Sequence, residues 1–173
     1  VYWLPNETDT SLHEGGAYEG QWFGGTPKPL NTLVNAFFNS VGEGTNLLLN
    51  VSPQSDGLIP DSYVQRAKEL GNTISERVGN PLAVTKGEGK TIELDLNGAV
   101  EIDHIVAMED IAFGERVRKY TYEGQKEDGT WIKLADGDAI GHKRIIQLDP
   151  VTVKKVRLQI SESVLTPKIS KLY

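Results

Sequence analysis

The chain has 173 residues, 38% of them hydrophobic and 24% charged, a composition ordinary for a globular protein and far from that of a disordered one. The net charge is −6 and no run of basic residues occurs, which argues against binding to nucleic acid or to an anionic membrane surface. No segment reaches the roughly 18 apolar residues of a membrane span, and the absence of cysteine excludes disulfides, thiolate metal sites and a cysteine nucleophile.

The first residues have the character of a domain interior. The chain begins with Val1 and continues directly into the mostly apolar stretch 2–5. We therefore expect a piece of a longer protein, so the lack of an export signal here says little about its location. The length allows one mid-sized domain, or one small domain with part of another.

Residues 3–11, followed by Trp22 and Phe23, combine carboxylates with aromatic residues and glycines and show neither helical nor strand periodicity. We therefore expect a loop. Loops of this kind at the carboxyl end of barrel strands carry active sites, where aromatic faces stack on sugars and carboxylates transfer protons. Composition alone nevertheless favours an ordinary surface loop, with solvated acids and tryptophans buried for packing.

A helix, a strand and a second helix are predicted next. Apolar residues at three- and four-residue intervals predict an amphipathic helix over residues 30–38. The continuous apolar run 46–51 is typical of a strand buried on both faces, and residues 60–78 carry an apolar stripe typical of a long helix. One such unit cannot close a sheet. We interpret it as the last segment of a (β/α) barrel, whose other strands lie elsewhere.

From about residue 81 the apolar residues alternate with polar ones. The candidate strands cover residues 92–96, 100–102, 105–108, 117–122, 130–134, 144–148, 153–160 and 168–172. Turn-forming pairs occur between them, at Asp128-Gly129, Asp136-Gly137 and Asp149-Pro150. Seven or eight short strands in roughly 90 residues predict an antiparallel β-sandwich. The linker is expected near Gly79-Asn80-Pro81.

Three motifs follow one another in the first 80 residues. They are Trp3-x-Pro5-x-Glu7-x-Asp9-x-Ser11-Leu12, the pair Trp22-Phe23, and a run from Ser40-Val41-Gly42 through Asn46-Leu47-Leu48-Leu49-Asn50-Val51 to Asp56-Gly57-Leu58-Ile59. In this order they resemble the α-L-fucosidases of glycoside hydrolase family 29. Phrases such as Gly114-Glu115-Arg116-Val117 and Trp131-x-x-Leu134-Ala135 are similar to the galactose-binding, discoidin-like sandwich that follows the barrel in this family. The resemblance implies a catalytic barrel segment at residues 1–80 and a sandwich domain at residues 81–173.

The resemblance implies a retaining exo-α-L-fucosidase that removes terminal fucose from an oligosaccharide or glycoconjugate, without a metal or other cofactor. In this mechanism an Asp attacks the anomeric carbon, while a Glu protonates the leaving oxygen and then deprotonates water. Glu7 occupies the position of that Glu. Burial against apolar rings raises the pKa of a carboxyl, as an acid catalyst requires. We therefore expect Trp3 and Pro5 to bury Glu7 partly.

The same resemblance places Trp22 and Phe23 beside the sugar. It places the nucleophilic Asp and the fucose-binding histidines upstream of Val1, since none of the three histidines, His13, His104 and His142, matches them. The chain should thus need the remainder of the barrel and be inactive alone. A periplasmic or secreted location is implied as well. Asp9 is the rival acid/base, and its ordinary alternative is an Asx-type hydrogen bond to its own backbone.

Other functions remain open for the sandwich. It is either a non-catalytic carbohydrate-binding module or a structural domain that stabilises the barrel. Trp131 and Tyr122 could form a sugar platform, although their alternating pattern favours the core. Asp136 with Asp138, or Glu109 with Asp110, could supply oxygen ligands to calcium, although acids in turns are usually solvated.

Overall fold

The computed structural model describes residues 6–15 and 25–173, which divide between two compact units. The first unit comprises Val1–Val41 and Thr45–Gly79, and the second comprises Gly42–Gly44 and Asn80–Tyr173. The assignment of residues 1–80 to a catalytic barrel and of residues 81–173 to a discoidin-like domain stays a prediction.

The first unit contains two parallel strands and two helices. Strand β1 (Glu7–Ser11) pairs with β2 (Asn46–Asn50), and helix α1 (Leu30–Phe38) lies between them in the chain. This order satisfies the requirement of parallel strands for a crossover connection. Helix α2 (Asp61–Ile74) follows and continues into a π-helical turn. Both helices bury an apolar stripe, formed by Leu33, Val34 and Phe38 in α1 and by Tyr63 and Leu70 in α2.

Two expectations for this unit are wrong. Residues 7–11 form a strand, because main-chain pairing with β2 organises a polar segment that has no apolar face to reveal it. The β-branched Thr8 and Thr10 suit that conformation. Strand β2 is not buried on both faces either, since Leu48 is 44% exposed. The described residues give β2 only one neighbouring strand, whereas parallel sheets normally have both faces covered.

The second unit is built from six antiparallel strands in the order β3-β8-β4-β7-β5-β6. Their bounds are β3 (Thr85–Glu88), β4 (Thr91–Glu109), β5 (Val117–Gln125), β6 (Trp131–Gly137), β7 (Arg144–Ser163) and β8 (Lys168–Leu172). The first part of β4 pairs with the last part of β7, which also pairs with β5. The last part of β4 pairs with the first part of β7 and with β8. Both layers of the sandwich therefore share β4 and β7.

The eight candidate segments become six strands, because three of them merge into β4, two merge into β7, and β3 was not among the candidates. Between Asp95 and Val100 the register of β4 shifts, where Asn97 has a φ of 59° and Gly98 a φ of 144°. A second shift lies opposite Asp149-Pro150, which interrupts pairing without ending β7. Bulges bend and twist a strand, and proline within a sheet is tolerated at such points. Several short candidates thus become two long strands.

A single core fills the sandwich. Inward-facing side chains of both layers meet in one buried cluster, which includes Ile92 and Leu94, Tyr120 and Tyr122, and Ile169 and Leu172. The predicted fold class, an α/β segment followed by an antiparallel β-sandwich, is confirmed. Within the described ranges no helix is long and apolar enough to cross a membrane.

Candidate functional site

Glu7 is the first residue of β1 and lies beside Asn46 at the start of β2. The side chain is exposed, and among residues 6–15 and 25–173 its carboxylate has no hydrogen-bond or ion-pair partner. The expected partial burial is therefore not seen. Trp3 and Pro5, which were expected to provide it, lie outside the described residues, as do Trp22 and Phe23.

Asp9 is two residues further along the strand, on the same face as Glu7. Its Oδ1 accepts a hydrogen bond of 2.6 Å from the Nδ2 of Asn50, the last residue of β2. This contact joins the two strands, whereas the alternative considered for Asp9 was an Asx-type bond to its own backbone. Of the two candidate acids, Asp9 has a partner within the first unit, whereas the Glu7 carboxylate has none among the described residues.

The strand direction places Glu7 at the amino end of β1, and Ser11 marks the carboxyl end. At about 3.3 Å per residue the two ends lie roughly 13 Å apart. Barrel enzymes collect their catalytic groups at the carboxyl end of the strands. Glu7 therefore lies at the end of β1 opposite to the one where barrel enzymes collect catalytic groups, and its place in a strand differs from the expected loop position.

A second group of polar residues lies at the carboxyl end of β1. The His13 side chain is buried, with its Nδ1 3.0 Å from the carbonyl oxygen of Glu14 and its Nε2 3.0 Å from the Oγ of Ser52. Because a carbonyl only accepts, Nδ1 donates to Glu14 O, and in the neutral ring Nε2 then accepts from the Ser52 hydroxyl. The ring stacks on Tyr63 at 5.3 Å with an angle of 11°. Sequence analysis missed this cluster, since its members are far apart along the chain.

The cluster links β1 to the loop that follows β2. The Leu12 amide donates to Asn50 O at 2.8 Å, next to the His13–Ser52 bond. Further along this loop, Asp56 Oδ1 accepts from the Leu58 amide at 2.9 Å, and Gly57 has a φ of 83° that favours glycine. The resulting tight turn leaves Leu58 66% exposed. An ordered loop with an apolar tip thus follows the carboxyl end of β2.

Trp131 and Tyr122, which were considered as a sugar platform on the sandwich, do not present two exposed rings. Tyr122 is fully buried in the core, and its hydroxyl has no hydrogen-bond partner among the described residues. Trp131 is half-buried, and the guanidinium of Arg157 lies 4.0 Å from its ring centroid. Arg157 is in turn held by Glu123 at 2.8 Å. Tyr122 is a core residue, and one face of Trp131 is covered by a cation.

In each of the two pairs considered for calcium, one carboxylate already has partners within the protein. Glu109 is 3% exposed and accepts hydrogen bonds from the amides of Arg116 at 2.7 Å, Val117 at 3.0 Å and Gly141 at 2.9 Å. Asp136 forms an ion pair of 2.7 Å with Lys133. In the part of the chain that the structure describes, no three His, Cys, Asp or Glu side chains are grouped to hold a metal.

Comparison with known proteins gives consistent matches. Residues 5–77 match the model of a family described as Alpha-L-fucosidase. Alpha-L-fucosidase 1 of Arabidopsis thaliana is 25% identical over 209 aligned residues, which cover 98% of this chain and 40% of that protein. The chain thus spans about two fifths of the length of the curated relatives it matches.

Solved structures match over almost the entire chain. A protein of Bacteroides thetaiotaomicron assigned as an α-L-fucosidase superposes with a TM-score of 0.91 and 35% identity, over 99% of this chain and 40% of that one. A family 29 fucosidase of Ruminococcus gnavus, solved in complex with fucose, gives a TM-score of 0.84 and 27% identity, over 99% and 41% of the two chains.

Proposed function

Because the chain belongs to the α-L-fucosidase family, glycoside hydrolase family 29, and matches the C-terminal portion of its longer members, we propose that it is part of an exo-acting α-L-fucosidase. The enzyme releases terminal α-L-fucose from oligosaccharides or glycoconjugates with retention of configuration. The observation that carries this proposal is the match of residues 5–77, which include both candidate carboxylates, to the fucosidase family.

In this proposal Glu7 is the general acid/base. It protonates the glycosidic oxygen as the C–O bond breaks, and then removes a proton from the water that attacks the glycosyl-enzyme. The position of Glu7 in the matched segment supports the assignment, and no partner within the described residues competes for its carboxylate. Asp9 is less suited to the role, because Asn50 already holds one of its oxygens.

The nucleophile belongs to a part of the barrel outside this chain. Neither Glu7 nor Asp9 can perform both steps alone, since a retaining site needs a second carboxylate about 5–5.5 Å from the first. Glu7 and Asp9 point to the same side of one strand, where the Asn50 contact fixes Asp9. Because the family resemblance places the nucleophilic Asp in the rest of the barrel, we propose that the chain by itself hydrolyses no fucoside.

The test is Glu7→Gln in the full-length protein, with Asp9→Asn as the matched control on the same face of the same strand. Asparagine keeps the oxygen that accepts from Asn50, so the control should retain most activity. For a substrate with a poor leaving group, Glu7→Gln should lower kcat/KM about 100- to 10,000-fold. With a 2-chloro-4-nitrophenyl fucoside, azide should restore turnover and give α-L-fucosyl azide, because it attacks the glycosyl-enzyme without needing a base.

The outcomes separate the two carboxylates. Full activity of Glu7→Gln together with a large loss in Asp9→Asn transfers the role to Asp9. Full activity of both variants excludes both carboxylates as the acid/base and refutes the assignment of Glu7. A product of inverted configuration at the anomeric carbon contradicts the retaining mechanism itself.

A further inference from the structure

A three-residue segment of the loop before β2 belongs to the second unit. By their contacts, Gly42–Gly44 group with the sandwich, although the residues on both sides of them in the chain belong to the first unit. The segment overlaps the short helical turn Val41–Glu43, which comes just before β2. The chain therefore contacts the sandwich immediately before it enters the strand that pairs with β1.

Arg144, the first residue of β7, holds this segment. Its side chain is 18% exposed, and its guanidinium forms an ion pair with the carboxylate of Glu43. The Nε of the same guanidinium donates to the carbonyl oxygen of Ala139 at 3.1 Å, which fixes the orientation of the group. Without Glu43, this mostly buried arginine would be an unpaired charge with little water around it. The ion pair therefore favours one position of the turn.

Close backbone packing defines the shape of the turn as well. Gly42 is buried, and a Cβ at this position would lie 3.4 Å from the Cβ of Ile145. Gly44 has a φ of 88°, a conformation that favours glycine. The Thr45 amide then donates to Ser40 O at 3.0 Å and closes the turn. The turn is thus tightly built, with the start of β7 packed against one side of it.

The residues directly after the turn hold the backbone on both sides of Glu7. The hydroxyl of Thr45 lies 3.0 Å from the hydroxyl of Thr8. The Asn46 amide donates to Asn6 O at 2.9 Å, and Asn46 is the partner of Glu7 in the ladder of β1 and β2. Both chain neighbours of Glu7 are therefore held by the two residues that leave the turn.

We infer that Arg144 is a positioning residue for the acid/base, an inference that rests on the role proposed for Glu7. Arg144 acts through Glu43: the ion pair fixes the turn, the turn fixes the start of β2, and β2 fixes the backbone that carries the Glu7 carboxylate. A general acid must lie within hydrogen-bond reach of the glycosidic oxygen. A displacement of about 1 Å costs as much as about 100-fold in rate. The sandwich thereby contributes to catalysis without touching the sugar.

The test is Arg144→Met in the full-length protein, assayed with two aryl α-L-fucosides. The phenyl fucoside has a poor leaving group that needs protonation, whereas the 2-chloro-4-nitrophenyl group leaves without it. Arg144→Met should lower kcat/KM about 10- to 100-fold for the phenyl fucoside and less than about threefold for the other. A general loss of structure would lower both values equally, so the ratio of the two values reports the placement of Glu7.

Arg157→Met is the matched control. Arg157 is also a mostly buried arginine of β7, but it pairs with Glu123, at 2.8 Å. Its replacement should leave the ratio unchanged. Glu43→Ala removes the exposed partner of Arg144, so it disturbs folding less, and it should reproduce the change in ratio. The double variant should be no worse than Arg144→Met, because both substitutions break the same contact. Arg144→Lys keeps the charge and should recover part of the ratio.

Hydrogen exchange of the same full-length variants, followed by mass spectrometry, gives a readout that does not depend on activity. The amides of residues 6–8 and 45–46 should exchange faster in Arg144→Met than in the wild type, and Arg157→Met should not change them. If the wild type cleaves neither fucoside, the proposed function fails, and the exchange rates alone decide whether Arg144 holds the start of β1.

Two results would overturn the inference. One is a ratio of the two kcat/KM values that stays at the wild-type level in both Arg144→Met and Glu43→Ala, whether or not the values themselves fall. The other is unchanged exchange at residues 6–8 and 45–46 in both variants.

Discussion

Replacement of Glu109 by glutamine tests whether a buried carboxylate organises one end of the sandwich. Its Oε1 accepts from the amides of Arg116 and Val117, and its Oε2 accepts from the amide of Gly141. One carboxylate therefore joins the end of β4, the start of β5 and the loop before β7. The carboxylate has little water around it, so these three N–H groups are its solvation.

This geometry sets the loss of folding stability that we expect for Glu109→Gln. Glutamine is nearly isosteric, and its carbonyl oxygen can keep the two bonds to Arg116 and Val117. Its amide nitrogen then faces the N–H of Gly141, so two donors meet and one buried amide is left unsatisfied, at about 1–3 kcal/mol. The remaining bonds also lose their charge assistance, which is worth about 1 kcal/mol each. Removal of a buried charge offsets part of this loss, and we expect a net destabilisation of about 2–3 kcal/mol.

Urea unfolding followed by circular dichroism measures this loss, with Glu101→Gln as the control. Glu101 is an exposed carboxylate on the same strand, and its replacement should change the free energy of unfolding by less than about 0.5 kcal/mol. Glu109→Ala should be worse than Glu109→Gln, because all three amides then lose their partner. A Glu109→Gln variant as stable as the Glu101→Gln control would refute the reasoning.

Two further predictions concern the tyrosines of the core. Tyr122→Phe should raise the free energy of unfolding by about 1 kcal/mol, since it removes a buried hydroxyl without a partner among the described residues; a loss of about 1 kcal/mol in urea unfolding would contradict this. Burial, and then the charges of Asp136 and Asp138, raise the pKa of Tyr120 from 10.0 to about 12. Because the folded state holds this proton more tightly, its contribution to stability should be complete below about pH 10 and should fall as pH rises towards 12. Denaturation at about pH 9 and pH 11, with tyrosinate absorbance, checks this, and Tyr120→Phe should flatten the dependence.

Local periodicity was enough to predict the elements that bury an apolar face. Helix α1 and strand β2 match the expected limits closely, and the alternating segments after residue 81 form the sandwich. Strand β1 was missed because its residues are polar, so only its partner β2 explains its conformation. The turn signal at Asp149-Pro150 is correct locally, since it coincides with a shift in the register of β4 and β7. Whether such a signal ends a strand or only bends it depends on pairing with a distant strand.

The candidate site was likewise predicted only where the signal lies in the local sequence. Glu7 was found through its motif, and its place in the chain order was enough to suggest a role. Its position at a strand start, and the Asp9–Asn50 bond that distinguishes the two acids, depend on the pairing of β1 with β2. The His13–Ser52 contact joins residues 39 positions apart and leaves no local pattern. The role of Glu109 likewise depends on backbone amides, which have no signature in side-chain sequence.

The passage of β4 and β7 through both layers has a consequence for how the sandwich comes apart. Neither layer is made of its own strands alone, because each contains half of β4 and half of β7. Detaching one layer would pull the long strands out of register in the other and expose the shared core. One layer therefore cannot unfold while the other stays folded. The two layers should unfold in one cooperative transition. A destabilising substitution at either end of the sandwich should therefore lower the stability of the whole sandwich.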